Sequence, residues 1–129
     1  MDRIEEFLIK WDNKQTGFLK SFYQENISKD TFISDIIQLF LIHPELEHAT
    51  SWLLKHYYDN GETLNQEQIG QLLKKIEELT YWGSQLHLLQ ILPKIPLTEK
   101  QAAGIEPIVR KLLNSENKFV KAAAYEAYF

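Results

Sequence analysis

Cysteine is absent from this 129-residue chain, and glycine and proline are scarce, with five and four residues. Without cysteine the chain has no disulfide framework, no thiolate zinc site and no thiol nucleophile, a composition that suits a reducing compartment. The five glycines are scattered singly, so no glycine-rich loop is available to bind phosphate groups. These absences exclude several common classes of enzyme and of secreted domain.

The chain also lacks a long apolar run and an excess of positive charge. Its most apolar stretch, residues 33–42, is interrupted by Ser34, Asp35 and Gln38 and is far shorter than the roughly 20 residues that cross a bilayer. Three of the first six residues are acidic, whereas a secretory signal begins with basic and then apolar residues. The net charge of −4 argues against a dedicated nucleic-acid binder. We therefore expect a soluble cytoplasmic protein without a membrane partner.

Helical periodicity dominates what is present. A composition of 44% hydrophobic and 25% charged residues is that of an ordinary globular domain, and the length fits one domain. Apolar residues recur at intervals of three and four, whereas alternating strand patterns are scarce. Asn65 has the character of a helix-capping residue, and Thr98 with Gln101 has the spacing of a capping box. The pattern predicts one all-α domain of seven or eight helices over residues 1–129.

The predicted helix starts repeat at a nearly constant interval. Asp30, Asn65 and Thr98 open three similar helices, and their separations are 35 and 33 residues. A second series lies between them, with separations of 38 and 35 residues: Pro44, Trp82 and Asn117. A helix pair that recurs at such an interval is typical of an α-solenoid, in which each pair buries its apolar face against the next. We predict repeats over residues 30–129 and an N-terminal helical cap over residues 1–29.

Three segments resemble HEAT repeats, a family of helical-repeat proteins. Residues 82–93 and 117–127 resemble the first helix of a HEAT repeat, in which a polar break precedes an aliphatic, a basic and then small residues. Val120, Lys121 and Ala123 match this order. Residues 98–115 resemble the second helix of the repeat. The resemblance is clear over residues 82–129, weaker over residues 30–80 and absent from the first 29 residues.

The HEAT resemblance carries implications for fold and role. It implies a right-handed, armadillo-like α–α superhelix of about three helix pairs. It also implies a binding or scaffolding role, and it implies no reaction, because many functions share this architecture. Leu88, Leu89 and Trp52 depart from the family, since small residues are usual at their positions.

Residues that point away from the apolar stripes give a candidate binding surface. Such positions on successive repeats of a solenoid can line one continuous surface. The candidates lie on the predicted second helices: Gln71, Lys74, Glu78, Arg110 and Lys111. We predict that this surface binds a protein or peptide and that the chain is a non-catalytic binding or scaffold module.

Two other functions fit the same sequence. Cations on successive repeats would suit a HEAT-like DNA-base glycosylase or another enzyme acting on nucleic acid, although glutamates interrupt the basic surface. The apolar pattern also continues to Tyr125, Tyr128 and Phe129 without a helix cap, whereas terminal repeats of solenoids need a polar outer face. These three residues are therefore candidates for self-association into a homo-oligomer.

The histidines do not predict a metal site. His43, His48 and His56 lie close in sequence to Glu45 and Glu47. However, the proline after His43 disfavours a helical conformation there, and His48 and His56 are two helical turns apart. We predict solvated or packed histidines and no bound metal.

No motif predicts catalysis or a cofactor. Ser84 and His87 are neighbours on one helical turn, but no nucleophile elbow surrounds the serine. The three tryptophans stand at helical spacing beside leucines, which is typical of core residues. Trp82, at a repeat boundary, is the expected exception.

Overall fold

The computed structural model describes residues 2–12 and 14–128, with side chains from Ile4 onward. Eight helices occupy most of these residues, and no strand occurs among them. They are α1 (Asp2–Ile9), α2 (Thr16–Asn26), α3 (Phe32–Ile42), α4 (Glu47–Asp59), α5 (Gln66–Ile76), α6 (Trp82–Ile91), α7 (Glu99–Leu112) and α8 (Lys118–Tyr128). The prediction of an all-α fold is confirmed for this part of the chain. None of these helices has the length and apolar character needed to cross a membrane.

Local signals set several helix ends where the sequence predicts them. Asn65 and Thr98 each form a complete capping box, in which their side-chain oxygens accept from the N–H groups of Gln68 and Gln101. The glutamine side chains accept in turn from the N–H groups of the capping residues. Gly61 follows α4 with a φ of +84°, the left-handed conformation that favours glycine after a helix. The starts of α5 and α7 and the end of α4 are therefore encoded locally.

Two predicted helix starts are displaced. Asp30 does not cap α3, because the helix begins at Phe32 with Thr31 before it and no side-chain cap. Pro44 begins a short 3-10 turn, Pro44–Leu46, and α4 starts only at Glu47. His43, which precedes the proline, is extended and forms the N-cap of this 3-10 turn.

Alternate helices pack against one another. Helix α4 contacts α6, which contacts α8, and α3 contacts α5, which contacts α7. The two series are joined where α3 contacts α4 and α7 contacts α8. First residues of α3, α5 and α7 are 34 and 33 positions apart, and those of α4, α6 and α8 are 35 and 36 apart. Three helix pairs thus follow α1 and α2, and equivalent turns of successive pairs lie side by side.

One apolar cluster extends through the whole stack of helices. Large side chains that are fully buried include Phe32, Phe40, Leu53, Leu72 and Leu88. Small residues are buried where α4, α6 and α8 meet: Ala49, Ser51, Ser84, Ala123 and Ala124. Small side chains let helix axes approach closely. At the α4–α6 contact this also buries two serine hydroxyl groups.

Candidate functional site

A groove of about 440 Å³ lies between α5 and α7. Its apolar surface comes from Leu73 on α5 and from Ile105 and Ile108 on α7. Gly70 and Gly104 also line the groove, one on each helix, and a Cβ atom at either position would meet no heavy atom within 4 Å. The glycines therefore leave open space along both walls.

Charged side chains stand at the edges of this groove. Lys74 of α5 and Lys100 of α7 line it together with Glu77, which follows α5. The walls are bridged near one end, where Gln101 Nε2 donates to Gln66 Oε1 at 3.4 Å. The groove thus combines an apolar surface with two cations and one anion.

One of the five residues of the predicted binding surface lines this groove. Lys74 lines the groove, whereas Gln71, Glu78 and Lys111 do not. Arg110 forms an ion pair with Glu106 one turn away on its own helix, with Nε donating to Oε1 at 2.9 Å. The cation of α7 that lines the groove together with Lys74 is therefore Lys100, not Arg110.

A buried polar cluster lies between α4 and α6. Ser51 Oγ and His87 Nδ1 are 2.8 Å apart, and Ser51 Oγ also lies 3.1 Å from the carbonyl oxygen of His48. The His48 and His87 rings stack with their centroids 5.5 Å apart. Ser84 Oγ is buried beside them without a hydrogen-bond partner among the described residues. Burial lowers the pKa of His87 to about 3, with a smaller contribution from neighbouring His48, so both rings stay neutral at pH 7.

Close approach at this cluster depends on Gly83. A Cβ atom there would lie 2.6 Å from Tyr81 Cε2 and 3.2 Å from His48 Nε2. Any larger residue would therefore displace the Tyr81 ring and crowd the His48 ring of α4. The histidine stack is a packed helix contact, and the described residues around Ser84 hold no arrangement that would activate it as a nucleophile.

His43, His48 and His56, which are close in sequence, occupy three separate environments in the structure. His56 stacks on Trp52 with centroids 4.8 Å apart, and His48 lies on His87. His43 Nδ1 lies 2.8 Å from Glu45 Oε1 and 3.6 Å from Glu5 Oε1, at the surface. The Glu5 carboxylate comes from α1, and sequence spacing gave no sign of its proximity.

Large aromatic side chains are exposed on α6 and α8. Trp82 is 41% exposed and stacks against Phe119 of α8, which is 54% exposed. Tyr125 is 62% exposed and lines a hollow of about 520 Å³ on α8. Tyr128 donates a hydrogen bond to Glu106 Oε1 at 2.9 Å, and Phe129 lies outside the described residues. Trp82 is the exception among the tryptophans, as expected, because Trp11 is buried and Trp52 partly buried.

Sequence reasoning missed the residues that shape both sites. The sequence alone does not single out Gly70, Gly104, Lys100 or Ser51. The repeat interval contains the missing signal, since Ser51 precedes His87 by 36 residues and Gly70 precedes Gly104 by 34.

Comparisons of the chain with protein-family models, with curated proteins and with solved structures find no match. The function must therefore be inferred from the geometry of the chain itself.

Proposed function

We propose that this chain is a non-catalytic protein-binding module whose α5–α7 groove holds an amphipathic, acidic helix of a partner protein. The observation that carries the proposal is the pair of glycines in the groove walls, Gly70 and Gly104. Glycine inside a helix is about 1 kcal/mol less favourable than alanine. Each of these glycines therefore lowers the unfolding free energy of the chain. Such a cost is expected where a backbone must approach closely.

Packing within the chain gives no reason for these two glycines. An alanine Cβ at Gly70 or Gly104 would have no heavy atom within 4 Å outside its own helix backbone and chain neighbours. Gly83 is the contrasting case, because its neighbours would clash with any Cβ. The open space at Gly70 and Gly104 supports a role in admitting a partner.

The groove chemistry favours one kind of occupant. Leu73, Ile105 and Ile108 provide an apolar surface that suits the apolar face of a helix, a common mode of peptide recognition. Lys74 and Lys100 outnumber Glu77 at the groove edges. Acidic residues beside the apolar face of the partner would complement these lysines and speed its association.

The proposal includes the HEAT-like, right-handed superhelix. Its support comes from contacts between alternate helices and from helix starts that recur at 33 to 36 residues. In such a superhelix α5 and α7 are second helices of adjacent repeats, and the groove between them belongs to one continuous binding surface. A chain without cysteine suits a cytoplasmic scaffold of this kind.

The test is selection of a displayed library of helical peptides against the purified protein. We expect enriched peptides to carry apolar residues at helical spacing and acidic residues beside them. Gly70→Leu with Gly104→Leu fills both walls of the groove and should weaken the selected peptides by about tenfold or more. The matched control is Gly17→Leu, because a Cβ at Gly17 also meets nothing within 4 Å but lies on α2, outside the groove.

Two results would reject the groove as the binding site. One is equal affinity of the selected peptides for the double variant and the original protein, with both folded by circular dichroism. The other is enrichment of basic peptides, which would contradict the assigned role of Lys74 and Lys100.

A second candidate function, self-association through α8, rests on a different observation. Trp82, Phe119 and Tyr125 are large aromatic residues with 41%, 54% and 62% of their surface exposed. Exposed apolar surface of this kind marks interaction sites. A second copy of the chain would cover it, and the mass of the protein in solution tests this function.

A further inference from the structure

A small pocket of about 300 Å³ lies at the start of α4, away from the α5–α7 groove. Its lining residues are Pro44, Glu45, Glu47, His48 and Tyr81. Two carboxylates and two aromatic rings therefore surround the space, and its described lining residues include neither lysine nor arginine. This composition suits a cation.

Glu47 is the informative residue of this pocket. Only 7% of its surface is exposed, and its Oε1 has no hydrogen-bond partner among the described residues. No described ion pair involves its carboxylate. A buried carboxylate oxygen without a partner is costly and rare in proteins. Glu47 therefore has acceptor capacity that no described residue uses.

The neighbouring residue adds a second unmet group. His48 Nδ1 is also buried without a hydrogen-bond partner among the described residues. The His48 ring lies against the Tyr81 ring, with centroids 4.7 Å apart, and Tyr81 remains 40% exposed at the mouth of the pocket. Both unmet atoms are covered in this structure, whereas the Tyr81 ring is accessible, so a ligand would contact the aromatic face and draw the Glu47 carboxylate towards the pocket.

The ligand geometry favours an organic cation over a metal ion. Among the described residues, the group with three metal-ligating atoms within 4.8 Å of one another is Glu5, His43 and Glu45. Glu47 and His48 are not part of it, and His43 Nδ1 already contacts Glu45 Oε1 at 2.8 Å. A guanidinium ion instead carries five donors in one plane, bridges separate acceptors and stacks on aromatic faces.

We infer that this pocket binds a guanidinium group carried on an alkyl chain, held by Glu47 and covered by Tyr81. Its planar fork donates to the Glu47 carboxylate, which turns towards the pocket on binding, and its face lies against the Tyr81 ring. Glu45, which is exposed at the rim, adds a second negative charge. The site shares no lining residue with the α5–α7 groove. This inference therefore does not depend on the proposed peptide-binding function.

The test is a titration of the isotope-labelled protein followed by nuclear magnetic resonance. The probes are methylguanidinium and N-acetyl-arginine amide, up to about 10 mM, where a millimolar site is mostly occupied. We expect saturable shifts at His48 and Tyr81 and a loss of affinity of about tenfold or more in Glu47→Gln. Binding of the blocked arginine identifies an arginine side chain of a protein as a ligand that fits. Binding of methylguanidinium alone identifies a small free guanidinium compound.

Controls separate this site from nonspecific attraction to acidic surfaces. Glu116→Gln removes an exposed carboxylate from the turn before α8 and should leave the affinity unchanged. Tyr81→Leu should weaken binding while Glu47 stays in place, since it removes only the ring face. Absence of saturable shifts, or equal affinity in Glu47→Gln and Glu116→Gln, would overturn the assignment. Equally tight binding of n-butylammonium would overturn the guanidinium preference.

Discussion

Ser51 Oγ and His87 Nδ1 lie 2.8 Å apart inside the α4–α6 contact, although 36 residues separate them in the chain. Ser51 is fully buried, and His87 is 9% exposed, so water cannot readily replace either partner. The bond therefore links α4 and α6, the equivalent helices of two successive pairs.

Removal of this bond should destabilise the fold. In Ser51→Ala the buried His87 Nδ1 loses its partner, and the expected cost is about 1–3 kcal/mol of unfolding free energy. Ser84→Ala is the matched control, because Ser84 is equally buried but its Oγ has no partner among the described residues. That change should be neutral or stabilising. Urea unfolding of both variants checks the pair, and an equal cost at the two serines would contradict this assignment.

The buried histidine also predicts how stability depends on pH. The pKa of His87 falls from about 6.5 to about 3 on folding because the ring is buried. The unfolded chain therefore binds a proton between these values that the folded chain does not. The unfolding free energy is therefore independent of His87 titration above about pH 6.5. Below that value it falls as the pH drops towards 3, by up to about 1.4 kcal/mol per pH unit. Burial lowers the pKa of His48 as well, so it adds to the same trend.

His87→Asn should flatten this profile. Asparagine can place a polar atom near the position of Nδ1 but does not titrate in this range. We expect the unfolding free energy, measured in urea from about pH 7 to pH 4, to fall less steeply in the variant. The comparison is His43→Gln, which removes a surface histidine outside the helix contact. An unchanged slope in His87→Asn would show that His87 does not carry the effect.

The groove glycines predict a stability gain that opposes function. Gly70→Ala and Gly104→Ala should each raise the unfolding free energy by up to about 1 kcal/mol, since each removes helix-interior glycine without a clash. Gly83→Ala should do the opposite, because its Cβ would lie 2.6 Å from Tyr81 Cε2. Urea unfolding distinguishes these signs. A loss of stability in Gly70→Ala would mean that its helix turn is constrained by something other than open space.

The sequence predicts this fold well where the determinants are local or periodic. The capping residues Asn65 and Thr98 act on backbone groups within three positions, so their spacing alone suffices. The repeat interval even anticipates which residues meet, because Asp59 and Lys94, which form an ion pair, are 35 residues apart. Start signals that rely on a single residue are weaker, and Asp30 fails because Thr31 occupies the position before α3.

The sites were harder to predict because they depend on how each helix is rotated. Arg110 and Lys100 both lie on α7, and periodicity alone cannot tell which of them faces α5. The sequence does contain one neglected signal, the Glu106 four residues before Arg110, which pairs with it along the helix. Buried hydroxyls and carboxylates, such as those of Ser84 and Glu47, become recognisable only once the opposing helix is known.

Charge reversal should show whether Lys100 or Arg110 is the cation of α7 that contributes to peptide binding. Lys74→Glu with Lys100→Glu should weaken a selected acidic peptide by on the order of tenfold or more, with a reduced salt dependence. Lys74→Glu with Arg110→Glu should weaken it less, because Arg110 is paired with Glu106 and does not line the groove. Fluorescence anisotropy at two salt concentrations measures both. The reverse order of affinities would restore Arg110 to the binding surface.

Self-association through α8 predicts a mass that depends on concentration. Exposed aromatics at Phe119 and Tyr125 favour burial against a second copy, so light scattering should show a dimer or larger species at high protein concentration. Tyr125→Ser with Tyr128→Ser should shift the protein towards its monomer mass of 15.2 kDa. Ile42→Ser is the control, since Ile42 is 51% exposed but lies at the end of α3. A mass of 15.2 kDa at every concentration would instead leave the aromatic end of α8 without a role in self-assembly.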